Sequence, residues 1–101
     1  MYDPTDTRQQ EAAAKERAEI ERQRTRQAGE DLRQVMKSVA GRRYVRRMLD
    51  ATGVFRPSFN NSGSITAFNE GQRYVGLMLL AEVKQHCPKE FITLLQEDSN
   101  G

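Results

Sequence analysis

The stretch GRRYVRRML at residues 41–49 is echoed by GQRYVGLML at residues 71–79. Both copies fit the pattern G-x-R-Y-V-x-x-M-L, so six of nine positions are identical. On a helix, the Val, Met and Leu at positions 5, 8 and 9 of this repeat are spaced i, i+3 and i+4 and share one apolar face. The glycine at position 1 leaves room for a second backbone. The repeat predicts two helices, related by duplication or convergence, that cross as an antiparallel hairpin with their glycines close together.

The two copies differ at positions 6 and 7 of the repeat, which are Arg46-Arg47 in the first copy and Gly76-Leu77 in the second. We therefore predict a solvated basic edge on the first copy and fuller burial of the second. Gly76 also predicts unusually close packing, with a neighbouring subunit as one candidate for the contact. Val, Met and Leu are expected to face inward in both copies. The residues predicted to make packing or partner contacts are Gly41, Val45, Met48, Leu49, Gly71, Val75, Gly76, Met78 and Leu79.

Residues 1–31 are predicted to form a long, solvated helix. They are rich in Ala, Glu, Lys, Arg and Gln, which are strong helix formers, and Asp3-Pro4 is a typical helix start. After the initiator methionine, Tyr2 and Ile20 are the only large apolar side chains of this segment. No coiled-coil seam results, so the helix is expected to find its partner outside its own fold. A partly disordered arm is the alternative interpretation.

Gly29 interrupts this helical pattern, because glycine costs ~1 kcal/mol relative to alanine inside a helix. The helix either breaks at residues 28–31, where Asp31 can cap a new helix, or continues through the glycine. A second helix is predicted from Leu32 through the first copy of the repeat, ending at Gly53.

A loop is predicted at residues 54–64, where Pro, Asn, Ser and Gly are concentrated. Phe55 and Phe59 are expected to pin this loop to the core, since two exposed aromatic side chains in a short loop are costly.

A third helix is predicted from Ser64 or Thr66 to about His86, and Pro88 suits the first turn of a short C-terminal helix. The predicted fold class is therefore all-α: a long N-terminal helix followed by a small helical bundle, made of two longer helices and a short C-terminal helix. The predicted division of the chain is a charged, extended helical arm (1–31), the helical bundle (32–97) and a frayed tail (98–101).

A chain of 101 residues forms one domain at most. Because residues 1–31 supply almost no core, about 65 residues must bury the apolar side chains, and a domain of that size is marginal alone. We therefore expect self-association or a larger partner. The single cysteine excludes an intramolecular disulfide. The polar N-terminus does not resemble a signal peptide, and the apolar run VGLMLLA at residues 75–81 is too short to span a membrane. We expect a soluble protein made in a reducing cytoplasm.

His86-Cys87 is the only pair that suggests nucleophilic or metal chemistry. Adjacent residues on a helix point ~100° apart, so they do not form a reactive pair. A zinc site needs three or four ligands, and the chain has no other His or Cys. We expect His86 to stabilise a helix C-terminus and Cys87 to pack as a small apolar residue. The sequence predicts no catalytic, cofactor-binding or metal-binding residue, no cofactor, and a protein that is not an enzyme.

Positive charge is concentrated around the first copy of the repeat. Residues 32–56 carry seven basic side chains and one acidic side chain, whereas the segments before and after each have a net charge of −2. Arg42, Arg43, Arg46 and Arg47 form one broad basic stripe on a helix. Such a stripe can contact nucleic-acid phosphates, with an affinity that falls steeply as salt rises. The alternative is a solvated or interface surface that pairs with acidic groups, for example those of the N-terminal helix.

The C-terminal half contains the features of a known family. Phe68, Glu70, Gly71 and Arg73 form an F-x-E-G-x-R segment, and Cys87-Pro88 precedes a short helix that contains Phe91 and ends near the acidic Glu97. With the basic helix and TGVFRPSF at residues 52–59, these features resemble a family of small proteins from short-tailed bacteriophages, first named in a Bordetella phage. The resemblance covers roughly residues 35–97 and leaves out the charged N-terminal helix.

Genes of that family tend to lie among head and packaging genes, so the resemblance implies a virion or assembly role and carries over no catalytic residues. It implies a structural protein of a short-tailed phage, present in several copies and attached near the portal or the internal ejection core. The expected partners are other phage structural proteins, further copies of the chain and, through the basic stripe, packaged DNA, with no membrane contact. The expected location is the virion, assembled in the cytoplasm of the bacterial host. The alternative function is a small nucleic-acid-binding protein that uses the basic helix at residues 33–47.

Overall fold

The structure is a computed structural model that describes residues 7–57 and 62–99, with only the backbone described at 98 and 99. Within these ranges the chain forms four helices and no strand. The helices are α1 (Arg8–Lys37), α2 (Val39–Ala51), α3 (Gly63–His86) and α4 (Pro88–Ser99). The predicted all-α architecture, in which a long N-terminal helix precedes a small bundle, is confirmed. The predicted helix start at Asp3-Pro4 and the predicted anchoring of Phe59 lie outside the described residues.

α1 is a single helix of 30 residues that passes through Gly29 without a break. Gly29 is buried, and the ring of His86 at the end of α3 packs directly on it. A Cβ atom at residue 29 would lie 2.5 Å from Nδ1 of His86, so a larger residue here would have to displace the imidazole ring. Of the two predicted alternatives, the helix follows the continuous one. α1 runs without a break through the boundary predicted after residue 31. The division of the chain into a helical arm and a bundle stays a prediction.

The break in the first half of the chain lies at Ser38, so the predicted continuous helix from residue 32 to Gly53 is wrong. Ser38 has an extended backbone (φ −95°, ψ 151°), and its hydroxyl accepts a 2.9 Å hydrogen bond from the amide of Gly41. This N-cap bond satisfies a helix donor that otherwise has no partner. At Gly41 a Cβ atom would overlap the carbonyl of Val35. α2 can therefore fold back closely on the end of α1 only because residue 41 has no side chain.

Gly53 ends α2 in a left-handed backbone conformation, with a φ of 78°. The amide of Val54 donates to the carbonyl of Leu49, and the amide of Gly53 donates to the carbonyl of Asp50, which together form a Schellman motif. Val54 is thereby buried in the core with Leu49, whereas Phe55 remains 46% exposed. The prediction that Phe55 pins the loop to the core is wrong, because the turn directs the preceding valine inward instead.

The core is small and takes residues from all four helices and from the turn after α2. Pro88 opens α4, as predicted, and Cys87 alone separates it from the end of α3. α4 continues two residues beyond the predicted end of the bundle at residue 97. Four partly buried side chains pack against the core, namely Leu32, Leu79, Leu80 and Phe91. The buried side chains themselves are Met36, Val45, Leu49, Val54, Val83, Cys87 and Leu94.

The molecule is flat and extended. Its Cα atoms span 67 × 39 × 15 Å, with a radius of gyration of 19.8 Å, whereas a compact domain of this length has a radius of gyration of ~13 Å. Part of the difference comes from the first two-thirds of α1, where every side chain from residue 8 to residue 28 except Ala13 is exposed. Among the described residues, exposed large apolar side chains outnumber buried ones. The chain therefore leaves much of its apolar surface uncovered.

Candidate interaction surfaces

The first copy of the repeat lies in α2 and packs inward through Val45 and Leu49, which are 4% and 0% exposed. Met48 was expected on the same inner face but is more than a third exposed. Tyr44 lies one turn before it and is also exposed. In this copy the predicted inward face is therefore confirmed for Val and Leu and wrong for Met, because Met48 lies about a quarter turn from Leu49 on the outer side.

The second copy lies in α3 and is the more exposed of the two, so its predicted fuller burial is wrong. Val75 is 59% exposed, Met78 is 51% exposed and Tyr74 is 65% exposed. Of the apolar residues in this second copy, only Leu79 packs against the core. Val75 and Met78 do not face the core of their own chain, and their contact with a partner stays a prediction.

The close packing predicted at Gly76 is confirmed, but it occurs within the chain. A Cβ atom at residue 76 would overlap the hydroxyl of Thr52 and a methyl group of Val54, both in the turn after α2. Gly76 is therefore the point at which α3 touches the end of α2, and no neighbouring subunit is needed to explain this glycine.

The glycines at position 1 of the repeat do not meet, so the predicted hairpin with adjacent glycines is wrong. Gly41 packs on the carbonyl of Val35 in α1. Around Gly71, no other part of the described chain lies within 4 Å of the position that a Cβ atom would take. The two glycines face different surroundings because each helix is turned differently toward the core.

Besides the side of α3 that packs on the core, an apolar stripe runs along its outer side. The sequence analysis did not predict this stripe as a separate surface. Gly71, Tyr74, Val75 and Met78 are spaced i, i+3, i+4 and i+7, and all four are exposed. We call these four residues the outer stripe. The signal was available in the sequence, because α3 is apolar on most of its sides and a helix of that kind is normally buried all round.

Within the basic stripe, Arg42 is used inside the fold. Its Nε and Nη2 atoms lie 2.8 Å and 2.7 Å from Oε1 of Glu97 in α4. Its Nη1 donates to the carbonyls of Met36 and Lys37 at the end of α1, at 2.9 Å and 3.0 Å. The guanidinium therefore gives unpaired helix carbonyls a donor and joins three helices. Glu97 is 55 residues away in the chain, a separation that no local sequence pattern reveals.

Arg46 is also held against its own chain. Its Nε lies 3.4 Å from Oδ2 of Asp50, one turn further along α2. Its guanidinium carbon lies 4.8 Å from the ring centroid of Phe55, which is cation–π distance. This contact holds the exposed phenyl ring beside α2.

Arg43 and Arg47 form the outward half of the basic stripe. Both are exposed, and within the part of the chain that the structure describes neither forms an ion pair. Arg47 lies 5.7 Å from the ring centroid of Tyr44. The predicted stripe thus divides into two arginines that stabilise the fold and two whose charge faces solvent.

A shallow groove of about 580 Å³ opens beside this outward half. Arg56 contributes to its rim and donates a 2.8 Å hydrogen bond from Nη2 to the carbonyl of Asp50, at the end of α2. The groove combines apolar lining residues with two arginines and one aspartate, and so it continues the positive surface of α2. Its lining consists of Arg47, Asp50, Ala51, Phe55 and Arg56.

Cys87 is fully buried, as predicted for a small apolar residue. Burial raises the pKa of its thiol, the Glu90 carboxylate raises it further, and Arg33 acts in the opposite direction. A raised pKa keeps the thiol protonated, and hence weakly nucleophilic, near neutral pH. His86 occupies the last turn of α3, where a basic side chain is expected, and its ring contacts α1.

Across residues 7–57 and 62–99, no group of three or more His, Cys, Asp or Glu side chains is placed to hold a metal ion. The helices of the same ranges do not include one with the length and apolar character that a membrane crossing requires. The fold and its surfaces define a small all-α protein with a minimal core, an uncovered apolar stripe and an exposed basic patch.

The chain belongs to the Bbp19-like phage protein family, whose model matches residues 32–96. The match covers more than half of the chain and includes both copies of the repeat, and it begins near the end of α1. The resemblance to a small phage family is thereby confirmed, and the chain is a phage protein. No curated protein and no solved structure shows a significant match.

Proposed function

We propose that the chain is a structural or assembly protein of a short-tailed phage virion, present in several copies and associated with the portal or the internal ejection core. The observation that carries the proposal is the uncovered apolar surface of a phage protein with a minimal core. Monomeric soluble proteins rarely expose contiguous apolar patches beyond a few hundred Å², and larger patches usually mark contacts with partners. A protein that functions inside a multi-subunit particle has its partner surfaces available at high local concentration.

The uncovered part of α1 supports the same proposal. Residues 8–28 extend beyond the bundle, and within them Ile20 is the only large apolar side chain. The helix is held by local charge pairs such as Arg22–Glu19, at 2.8 Å, rather than by packing. Exposed pairs of this kind contribute little. A long polar helix with few contacts to its own bundle is suited to lie along a neighbouring protein.

Cross-linking of purified particles, followed by mass spectrometry, tests this function. The four lysines of the chain divide usefully between the proposed surfaces, because Lys15 lies on the extended part of α1 whereas the other three lie on the bundle, namely Lys37, Lys84 and Lys89. We expect peptides of the chain in particles or in assembly intermediates, with cross-links from these lysines to the portal or to core proteins. Absence of the chain from both mature particles and intermediates of infected cells would contradict the proposal.

A second candidate function is nucleic-acid binding, which the free charges of Arg43 and Arg47 favour. Charges that make no internal ion pair remain available for phosphates. The matched test compares Arg43→Gln/Arg47→Gln with Arg24→Gln/Arg26→Gln, which removes the same charge from the exposed part of α1. A gel-shift assay at two salt concentrations should show weaker DNA binding for the α2 variant only. Wild-type protein that binds no DNA even at low salt would eliminate this candidate.

A further inference from the structure

The outer stripe of α3 lies on the side of the helix that faces away from its own bundle. Gly76 marks the inner side, where α3 touches the turn after α2. Met78 follows two residues later, and two steps of ~100° place it on the far side of the helix. Tyr74 and Val75 precede Gly76 and are the most exposed members of the stripe. The described chain leaves these side chains uncovered, and together they form a contiguous apolar surface of the kind that often marks a contact with a partner.

We propose that the outer stripe is covered by the outer stripe of a second copy of the chain, with the two α3 helices antiparallel. Charge selects this occupant. Glu70, Leu77 and Lys84 are spaced seven residues apart, so they lie along one flank of α3. Glu70 directly precedes the outer stripe, and Lys84 lies six residues beyond Met78, where its ammonium is 5.9 Å from the ring centroid of Phe91 in its own chain. In an antiparallel pair, Glu70 of each copy lies beside Lys84 of the other. In a parallel pair the same flank of the two copies lies on opposite sides of the interface, so Glu70 and Lys84 would not meet.

The apolar side chains fit the same register. When the pair is centred near residue 76, Tyr74 of one copy lies opposite Met78 of the other, and an aromatic ring against a thioether is a favourable contact. Gly71 then lies opposite Ala81, where small residues on both sides allow the helices to approach. The open space found around Gly71 in the single chain is the space that a second helix would enter.

The extended part of α1 from a second copy is a poorer occupant of the outer stripe. Its single large apolar side chain, Ile20, cannot match four stripe residues spread over two turns. The second copy of α3 supplies an apolar surface of equal length and two complementary charge pairs. Self-pairing therefore explains both the composition of the stripe and the charges beside it.

This pairing specifies the self-association within the proposed function and rests on it. The test uses the purified full-length chain, so that it is independent of particle association. Sedimentation equilibrium should show a dimer or larger species for the wild type. Met78→Glu should raise the dissociation constant roughly 30-fold or more, as expected for an interface hot spot. Met48→Glu changes the same position of the repeat in α2 and serves as the matched control, with little effect expected.

A charge swap tests the antiparallel register. Glu70→Lys and Lys84→Glu should each weaken association, because each creates two like-charged contacts in the pair. The double variant Glu70→Lys/Lys84→Glu should recover most of the wild-type association, since it restores opposite charges at both contacts. Both positions are exposed, so these variants are expected to fold, and circular dichroism checks their helix content.

Three outcomes would overturn the pairing. The first is a wild-type chain that stays monomeric at high concentration. The second is association that Met78→Glu leaves unchanged or that Met48→Glu weakens equally. The third is a double charge variant that associates no better than the single ones. A monomeric chain that nevertheless cross-links to the portal or core in particles would refute the pairing and leave the proposed function standing.

Discussion

The two copies of the repeat use the same residues for different purposes. In α2, Val45 and Leu49 are buried, and the copy is part of the core. In α3, the equivalent Val75 is exposed and only Leu79 keeps a contact with the core. An apolar helical pattern therefore predicts that a helix will pack, but it does not predict which of two apolar faces will meet the chain's own core.

The difference arises at position 6 of the repeat. Gly76 permits α3 to approach the turn that contains Thr52 and Val54, and this contact turns α3 so that position 6 faces inward. In α2 the same position is Arg46, whose charged side chain stays near the surface beside Asp50. Compared with α2, α3 is therefore rotated about its own axis, relative to the core, by somewhat less than the ~100° step between successive residues. That rotation moves Val75 to the outer side, whereas the tyrosine of the repeat is exposed in both copies.

The largest expected effect separates the two leucines at position 9. Leu49→Ala should lower the free energy of unfolding by about 2–5 kcal/mol, because it empties space in a fully buried site. Leu79→Ala should cost clearly less, since Leu79 is only partly buried. Urea denaturation followed by circular dichroism measures both. Equal losses in the free energy of unfolding for the two variants would contradict the different burial of the two copies.

The glycines at position 1 should respond with opposite signs. Gly41→Ala should destabilise the fold by about 1–3 kcal/mol or more, because its Cβ would overlap the backbone of α1. Gly71→Ala should stabilise the isolated chain by up to ~1 kcal/mol, since alanine favours helix and the site is open. Thermal unfolding at low protein concentration, where self-association is minimal, provides the measurement. Destabilisation by both variants would contradict the open environment of Gly71.

A smaller effect is expected at position 2, where the copies carry Arg42 and Gln72. Arg42→Gln should lower the free energy of unfolding by about 1–2 kcal/mol, since it removes the contacts to Glu97 and to the end of α1. The neighbouring Arg43→Gln serves as the control and should change stability by less than ~0.5 kcal/mol, as exposed substitutions usually do. A larger effect at Arg43 than at Arg42 would overturn the division of the basic stripe.

The smallest expected effect is a dependence of stability on pH that comes from Cys87, the buried residue at the C-terminal end of α3. Because burial raises the thiol pKa above its ordinary value of 9.0, both folded and unfolded chains hold the proton well below pH 9 and stability is unaffected there. As the pH rises past 9.0, the unfolded chain releases the proton first, so stability falls. Unfolding measured between pH 7 and roughly pH 10 should therefore decline more steeply for the wild type than for Cys87→Ala. Parallel profiles for the two proteins would indicate that the thiol is not shielded.

Several structural features follow from local patterns, and sequence reasoning predicted them. Helix-forming composition predicts α1, Gly53 predicts the end of α2, and Pro88 predicts the start of α4. The break at Ser38 was missed although its signal is local, because a serine cap three residues before Gly41 competes with an apolar periodicity that continues across it. Propensity alone cannot decide between a continuous helix and a capped break when both satisfy the local backbone hydrogen bonds.

An all-α chain with an undersized core, a concentrated positive charge and the features of a phage protein family could be predicted from the sequence alone. Those properties depend on composition, on helical periodicity and on residues close together in the chain. Three further features appear only in the three-dimensional packing: Arg42 pairs with Glu97, the ring of His86 packs on Gly29, and the second copy of the repeat turns its apolar side outward. These choices depend on how helices distant in sequence rotate and approach, and such contacts are set by shape complementarity that no single helix contains.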